Sequence, residues 1–72
     1  MAKKGFYTTI GENIIKNRET NEVSQSKLAI LSDVDRAYLG KIEQGKVNPS
    51  LKILHKIAVA LGIDLCDLIK AD

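Results

Sequence analysis

The sequence predicts an all-α fold, a compact domain of five short helices built around a central helix-turn-helix. Three observations carry that expectation. Apolar residues recur at spacings of three and four, and no period-two run of β-branched residues is long enough for a sheet. Thr9, Ser24, Asp35 and Ser50, all good helix-capping residues, stand just before segments of that period. Gly45 and Gly62 stand just after such segments, where helices commonly stop.

Taken in order, residues 1–8 read as a flexible N-terminal arm. Thr9-Ile10-Gly11-Glu12 reads as a capping box, so a first helix is expected over about 10–19, with Ile10 and Ile14 inward. Thr20–Val23 is a polar connection. Ser24 then caps a second helix, Gln25 to about Ser32, that buries Leu28, Ala29 and Ser32. Asp33–Asp35 breaks the period. Asp35 caps a third helix over about 36–44, with Leu39 and Ile42 inward and Gly45 as its stop. The loop Lys46–Pro49 leads to Ser50. Leu51, Leu54, Ile57, Ala58 and Leu61 then form one stripe on a fourth helix, ended by Gly62. Asp64 starts a fifth, with Leu65, Leu68 and Ile69 apolar.

Length and charge bound the possibilities. The 72 residues form a single domain, 1–72, with 11 Lys and Arg against 9 Asp and Glu and a formal net charge of +2. That excess permits nucleic-acid binding without arguing for it. Cys66 is the single cysteine, which excludes a disulfide scaffold and fits a reducing compartment. Residues 1–11 lack the apolar core of a secretory signal, and Ala2 stands where N-myristoylation needs glycine. The longest apolar run, Ile57 to Ile63, is too short for a bilayer, so a cytoplasmic protein is expected. No Cys/His cluster has metal-ligand spacing, no Gly-rich phosphate loop appears, and His55 reads as a rim residue. No catalytic residue, metal, cofactor or small-molecule ligand is expected, and no membrane partner.

The helix-turn-helix spans about 24–45. A turn of only about three residues makes its two helices cross steeply, at roughly 90–120°. One helix then protrudes as a rod, and a rod of that diameter fits the DNA major groove.

The stretch SQSKLAILSDVDRAYLGKIEQGKVNPSLKIL resembles the Cro/phage-repressor (XRE-like) helix-turn-helix family. Within it, the chain is most similar to small stand-alone regulators such as restriction–modification controller proteins. The positions that carry the resemblance include Ser24-Gln25, Leu28-Ala29, Val34-Asp35-Arg36, Tyr38-Leu39, Ile42-Glu43, Gly45, Asn48-Pro49-Ser50-Leu51, Ile57-Ala58 and Leu61-Gly62. Ile10-Gly11, Ile14 and Arg18 extend it into the first helix, so that it covers about residues 9–69.

The resemblance implies a lambda-repressor-like fold whose third helix reads double-stranded DNA. Arg36, Ala37 and Lys41 would face base edges, Arg36 matching both acceptors of guanine; a phosphate contact is the alternative for Arg36 and for Lys41. Gln25, Tyr38, Gln44, Lys46, Asn48 and Ser50 would lie along the DNA backbone. Turn and capping chemistry is the other reading for Asn48 and Ser50, and a half-buried ring for Tyr38. Related repressors also pair an arginine and a glutamate at the positions of Arg18 and Glu43. Family members usually act as two-fold dimers on palindromic operators. The apolar excess at Leu65, Cys66 and Ile69, with the end of the fourth helix, marks a homodimer surface; completion of the core is the alternative for Leu65.

Departures from the family pattern are Asp33, where glycine is usual, Gly40 inside the third helix, and Lys27 in place of an acidic capping-box member. Ile15, Ile30 and Leu31 are apolar where relatives are often polar. The expected function is a sequence-specific DNA-binding transcriptional regulator, a repressor. The alternative is an antitoxin or protein-interaction module on the same fold.

Overall fold

The computed structural model describes residues 5–71 of the chain. Its helices are α1 (Phe6–Thr20), α2 (Gln25–Ser32), α3 (Arg36–Glu43), α4 (Leu51–Leu61) and α5 (Cys66–Ile69), with no strand among the described residues.

Three helix starts are fixed by side-chain caps. Ser24 Oγ accepts from the Lys27 N–H at 3.0 Å, Asp35 Oδ2 from Tyr38 at 3.0 Å, and Ser50 Oγ from Ile53 at 3.1 Å. Each answers an amide that the helix ladder leaves without a partner. The ends are fixed by left-handed residues. Asp33 closes α2 at φ 55°, and the Val34 N–H returns to Ala29 O at 3.0 Å. Gly45 and Gly62 follow α3 and α4 at φ 73° and φ 70°. Asp33 therefore takes the conformation that glycine usually supplies, as aspartate can.

Two boundaries depart from expectation. Helix α1 begins at Phe6 rather than about 10, with extended Gly5 at its cap and no side-chain cap. Thr9 is an interior residue whose N–H donates to Gly5 O at 3.0 Å, so the capping box does not form. Nothing in Phe6–Thr9 breaks a helix, and α1 propagates back until Gly5 leaves it. Tertiary contact holds this first turn: a Cβ on Gly45 would stand 2.9 Å from Thr8 Oγ1. Residues 6–8 are helix, not arm; the first four residues of the expected arm lie outside the described residues. At the other end, Asp64 does not cap α5 with its side chain. Its N–H instead donates to Asp67 Oδ2 at 3.1 Å, and the helix proper starts at Cys66. This bond and the Lys70 ammonium, 3.0 Å from Asp67 Oδ1, hold the Asp67 carboxyl below its ordinary range, with the lysine the larger cause.

The core is one cluster. Ile10 and Ile14 of α1, Leu28 and Ala29 of α2, Leu39 and Ile42 of α3, the α4 stripe and Leu68 of α5 meet there, with Val34 from the turn. Helix α1 packs on α3 and α5, and α2 packs on α3 and α4. Burial of Leu28, Ala29 and Ser32 on α2 is as expected, and Ser32 Oγ donates to Leu28 O at 2.6 Å. The α4 stripe begins at Leu54, because Leu51 is exposed. Periodicity marks the inward face of a helix but not how far along it the neighbours reach.

Two further contacts set the position of α1. Asn13 Nδ2 donates to Leu68 O and Lys70 O, both at 2.8 Å, and so ties α1 to the end of α5. Gly11 lies against the end of α3, where a Cβ would overlap the Glu43 carbonyl and stand 2.7 Å from Ile42 O. The two backbones can approach this closely only without a side chain.

Gly11 and Gly40 therefore predict opposite outcomes. Gly11→Ala should destabilise the fold by about 2–3 kcal/mol through overpacking. Gly40→Ala meets nothing closer than 3.7 Å, and should be neutral or stabilise by up to about 1 kcal/mol through helix propensity. Urea unfolding of the two variants beside the parent measures both.

Candidate nucleic-acid interface

The turn Asp33–Asp35 joins α2 to α3 with its one apolar residue, Val34, buried. Helix α3 is thereby divided lengthwise. Leu39, Ile42 and Glu43 face inward, whereas Arg36, Ala37 and Lys41 are exposed, and Tyr38 and Gly40 are half-buried between them. Beyond α3, Gln44, Lys46, Asn48 and Ser50 are exposed while Pro49 is buried, so the loop is anchored yet offers polar groups outward. Ser50 Oγ caps α4, which realises its capping role and leaves its hydroxyl hydrogen available to donate.

Glu43 is the one acidic residue among the buried positions described. Its side chain is 4% exposed, and that of Arg18 is 17% exposed. Arg18 Nε donates to Glu43 Oε2 at 3.0 Å, and Nη2 donates to Oε1 at 3.3 Å. Arg18 Nη1 donates to Val23 O at 3.1 Å, so one guanidinium joins α1, the α1–α2 connection and the end of α3. Gln25 Nε2 completes the cluster by donating to Glu43 Oε1 at 3.0 Å.

The structure thus leaves Arg36, Ala37 and Lys41 exposed on α3, Ala37 and Lys41 one turn apart, with exposed polar residues after α3 continuing beyond them. Gln25 stands half-buried against α3 with its amide engaged by Glu43. No spacing rule could have joined residues 25 and 43, which lie on different helices. Gly11 and Asn13, which position α1 behind α3, were equally invisible as contacts.

At the opposite end, Leu65 is half-buried and packs on the core, Leu68 is fully buried, and Cys66 and Ile69 are exposed. Val59 near the end of α4 is also exposed. On α2, Ile30 and Leu31 are exposed, whereas Ile15 of α1 is half-buried. Among the described residues, no group of three His, Cys, Asp or Glu could hold a metal ion, and no helix is long and apolar enough to cross a membrane.

Residues 14–68 match the helix-turn-helix family model HTH_3. The chain belongs to this helix-turn-helix family. The control protein C.MunI of Mycoplasma is 45% identical over 51 residues, covering 71% of this chain and 69% of the relative. The immunity repressor of Bacillus phage phi105 is 36% identical over 61 residues, covering 85% of this chain. The chain spans only 42% of that repressor's length and 60% of the control protein C.BamHI of Bacillus amyloliquefaciens. The crystal structure of the restriction–modification controller C.AhdI from Aeromonas hydrophila superposes with a TM-score of 0.84 at 37% identity, covering 86% of this chain and 94% of that one. The master regulator of biofilm formation SinR, solved in complex with DNA, superposes with a TM-score of 0.81 at 32% identity, covering 85% and 98%. The family and fold read from the sequence are borne out.

The cluster makes a stability prediction. Arg18→Met leaves the Glu43 carboxylate buried without its cation and should cost about 3 kcal/mol. Arg18→Met with Glu43→Met removes both charges and should recover at least half of that loss. Thermal unfolding of the two variants decides it; equal losses would mean that the pair acts through its packing alone.

Proposed function

We propose that the protein is a sequence-specific DNA-binding repressor of transcription that acts as a homodimer on a palindromic operator. The observation that supports this reading most is the exposed face of α3. It carries Arg36, Ala37 and Lys41 on a helix whose other face is locked by core packing and by the Arg18–Glu43 pair. A helix of this kind, held proud of the surface, can enter the major groove, where Arg36 matches the N7 and O6 acceptors of guanine. Ala37 suits contact with a thymine methyl, and Lys41, one turn on from Ala37, meets guanine or phosphate. Tyr38, Gln44, Lys46, Asn48 and Ser50 would lie along the backbone and set the register. The DNA-bound state of SinR, the same fold at 32% identity, lends support.

One such module covers half of an operator, and a two-fold partner would place a second recognition helix about 34–36 Å away. Cys66 and Ile69, with Leu65 and Val59 beside them, supply the apolar surface for that partner. The proposed role needs no catalytic step, metal, cofactor or small-molecule ligand, and it places the protein in the cytoplasm, where a lone thiol stays reduced. Ile30 and Leu31, 75% and 51% exposed, favour a second reading in which α2 docks a protein partner such as a toxin.

The test is a mobility-shift and footprinting titration on DNA flanking the protein's own gene at two salt concentrations. A protected palindrome whose affinity falls steeply with salt is expected. Arg36→Ala should cost about 1–3 kcal/mol of binding and relax discrimination at one base pair per half-site. Lys46→Ala should weaken all sequences alike and lower the salt slope by about 1. Protection absent from these fragments and from random-sequence selection would sink the DNA reading in favour of the protein partner.

A further inference from the structure

Helix α5 is a single turn, yet it carries Cys66 and Ile69 of the surface offered above to a second copy. So short a helix does not hold its own direction. Leu68 roots it in the core, fully buried, but apolar contact has no preferred angle. Direction comes from α1. The last carbonyls of a helix have no partner within it, and Asn13 supplies one from outside. Its Nδ2 donates to Leu68 O and to Lys70 O, both at 2.8 Å. A carboxamide nitrogen has two hydrogens and a backbone carbonyl only accepts, so both hydrogens are engaged and the sense of the amide is fixed by chemistry. Bonds to carbonyls two residues apart fix where α5 ends and which way it runs.

The opposite flank of α1 touches α3. Gly11 meets the carbonyls of Ile42 and Glu43, where a Cβ has no room, and Arg18 bonds the Glu43 carboxylate. Residues 11 and 18 are two turns apart on one side of α1, whereas 13 lies about 200° from 11 around the helix. Ile10 and Ile14 fill the core between these flanks. One helix therefore grips α3 with one side and α5 with the other.

In a two-fold dimer, the separation and angle of the two reading helices follow from how α3 sits relative to the shared surface within one protomer. Any tilt of α5 enters twice, once from each copy. DNA gauges it finely, since one base pair more or less between half-sites displaces the second by about 3.4 Å and turns it by about 35°. We propose that α1 is the strut that sets the half-site spacing this protein accepts, and that Asn13 is the positioning residue that fixes it by holding α5 at one angle to α3. The proposal rests on the homodimer reading, with Cys66 and Ile69 in its surface. It assigns Asn13 neither to DNA nor to the partner; its effect passes through α5.

The experiment titrates the parent and Asn13→Asp onto the footprinted operator, onto versions with one base pair added or removed between the half-sites, and onto a single half-site. Protein concentrations are those at which sedimentation shows a dimer. Asn13→Asp keeps the size of the side chain but turns an acceptor toward two carbonyls that also only accept. Parent binding should fall at least about tenfold on either altered spacing, because both half-sites can no longer be engaged together. Asn13→Asp should match the parent on the single half-site, yet bind all three spacings to within about threefold of one another. If Asn13→Asp does not fold, Asn13→Ala, which removes the donors without adding charge, goes through the same comparison. A folded variant that keeps the parent's spacing preference overturns the proposal. So does one that loses affinity equally for the single half-site and the full operator, which would mark a purely structural role, or one that forms no dimer at any concentration. Ile69→Glu should abolish the parent's dimer; a dimer that survives it refutes the surface on which the proposal rests. A parent that footprints as a monomer on one half-site refutes the homodimer itself, so the failures are read separately.

Discussion

A carboxylate taken out of water at the end of a helix is doubly disfavoured: it loses hydration, and it sits near the negative end of the helix dipole. Glu43 occupies that position in the last turn of α3, 4% exposed. Its stability depends on answering both oxygens, and the answers come from outside α3: two donors from Arg18 on α1 and one from Gln25 on α2. The three helices that frame the turn are therefore tied at one point. Gly11 belongs to the same constraint, since α1 can bring Arg18 to Glu43 only if its backbone comes hard against the end of α3.

This anchoring ties the end of α3 to both α1 and α2. Hydrophobic contacts through Leu39 and Ile42 hold α3 to the core without direction. The bonds to Glu43 add direction, because charge-assisted hydrogen bonds are short and depend on angle. Formal charge is modest, at +2 over the whole chain. In the proposed DNA complex, affinity would come from where the cations stand, with Arg36, Lys41 and Lys46 around α3, rather than from a general positive field.

Where expectation and structure part, the cause is tertiary. A capping box at Thr9 satisfies every local rule, yet α1 runs on to Phe6, because its first turn is held from outside by the segment around Gly45. Leu51 continues an apolar period but is left in solvent where the neighbouring helices end. Gln25 is expected along the DNA backbone, and in the structure its amide also donates to a carboxylate on another helix. Each case turns on a neighbour that lies far along the chain.

The sequence by itself determined the helices and their order, the caps at Ser24, Asp35 and Ser50, the left-handed turn at Asp33, and the family. These follow from interactions within three or four residues, or from a pattern repeated across relatives, and both are written in linear order. It also marked Ala37 and Lys41 as sharing a face of α3 with Arg36 beside it, since helical period fixes which side chains share a face. Tertiary structure alone decided how closely α1 approaches α3, that Gly11 must lack a side chain, and which way the Gln25 amide turns. Those depend on atoms brought together by packing, where a displacement of one ångström separates a hydrogen bond from a clash, and no spacing along the chain encodes it.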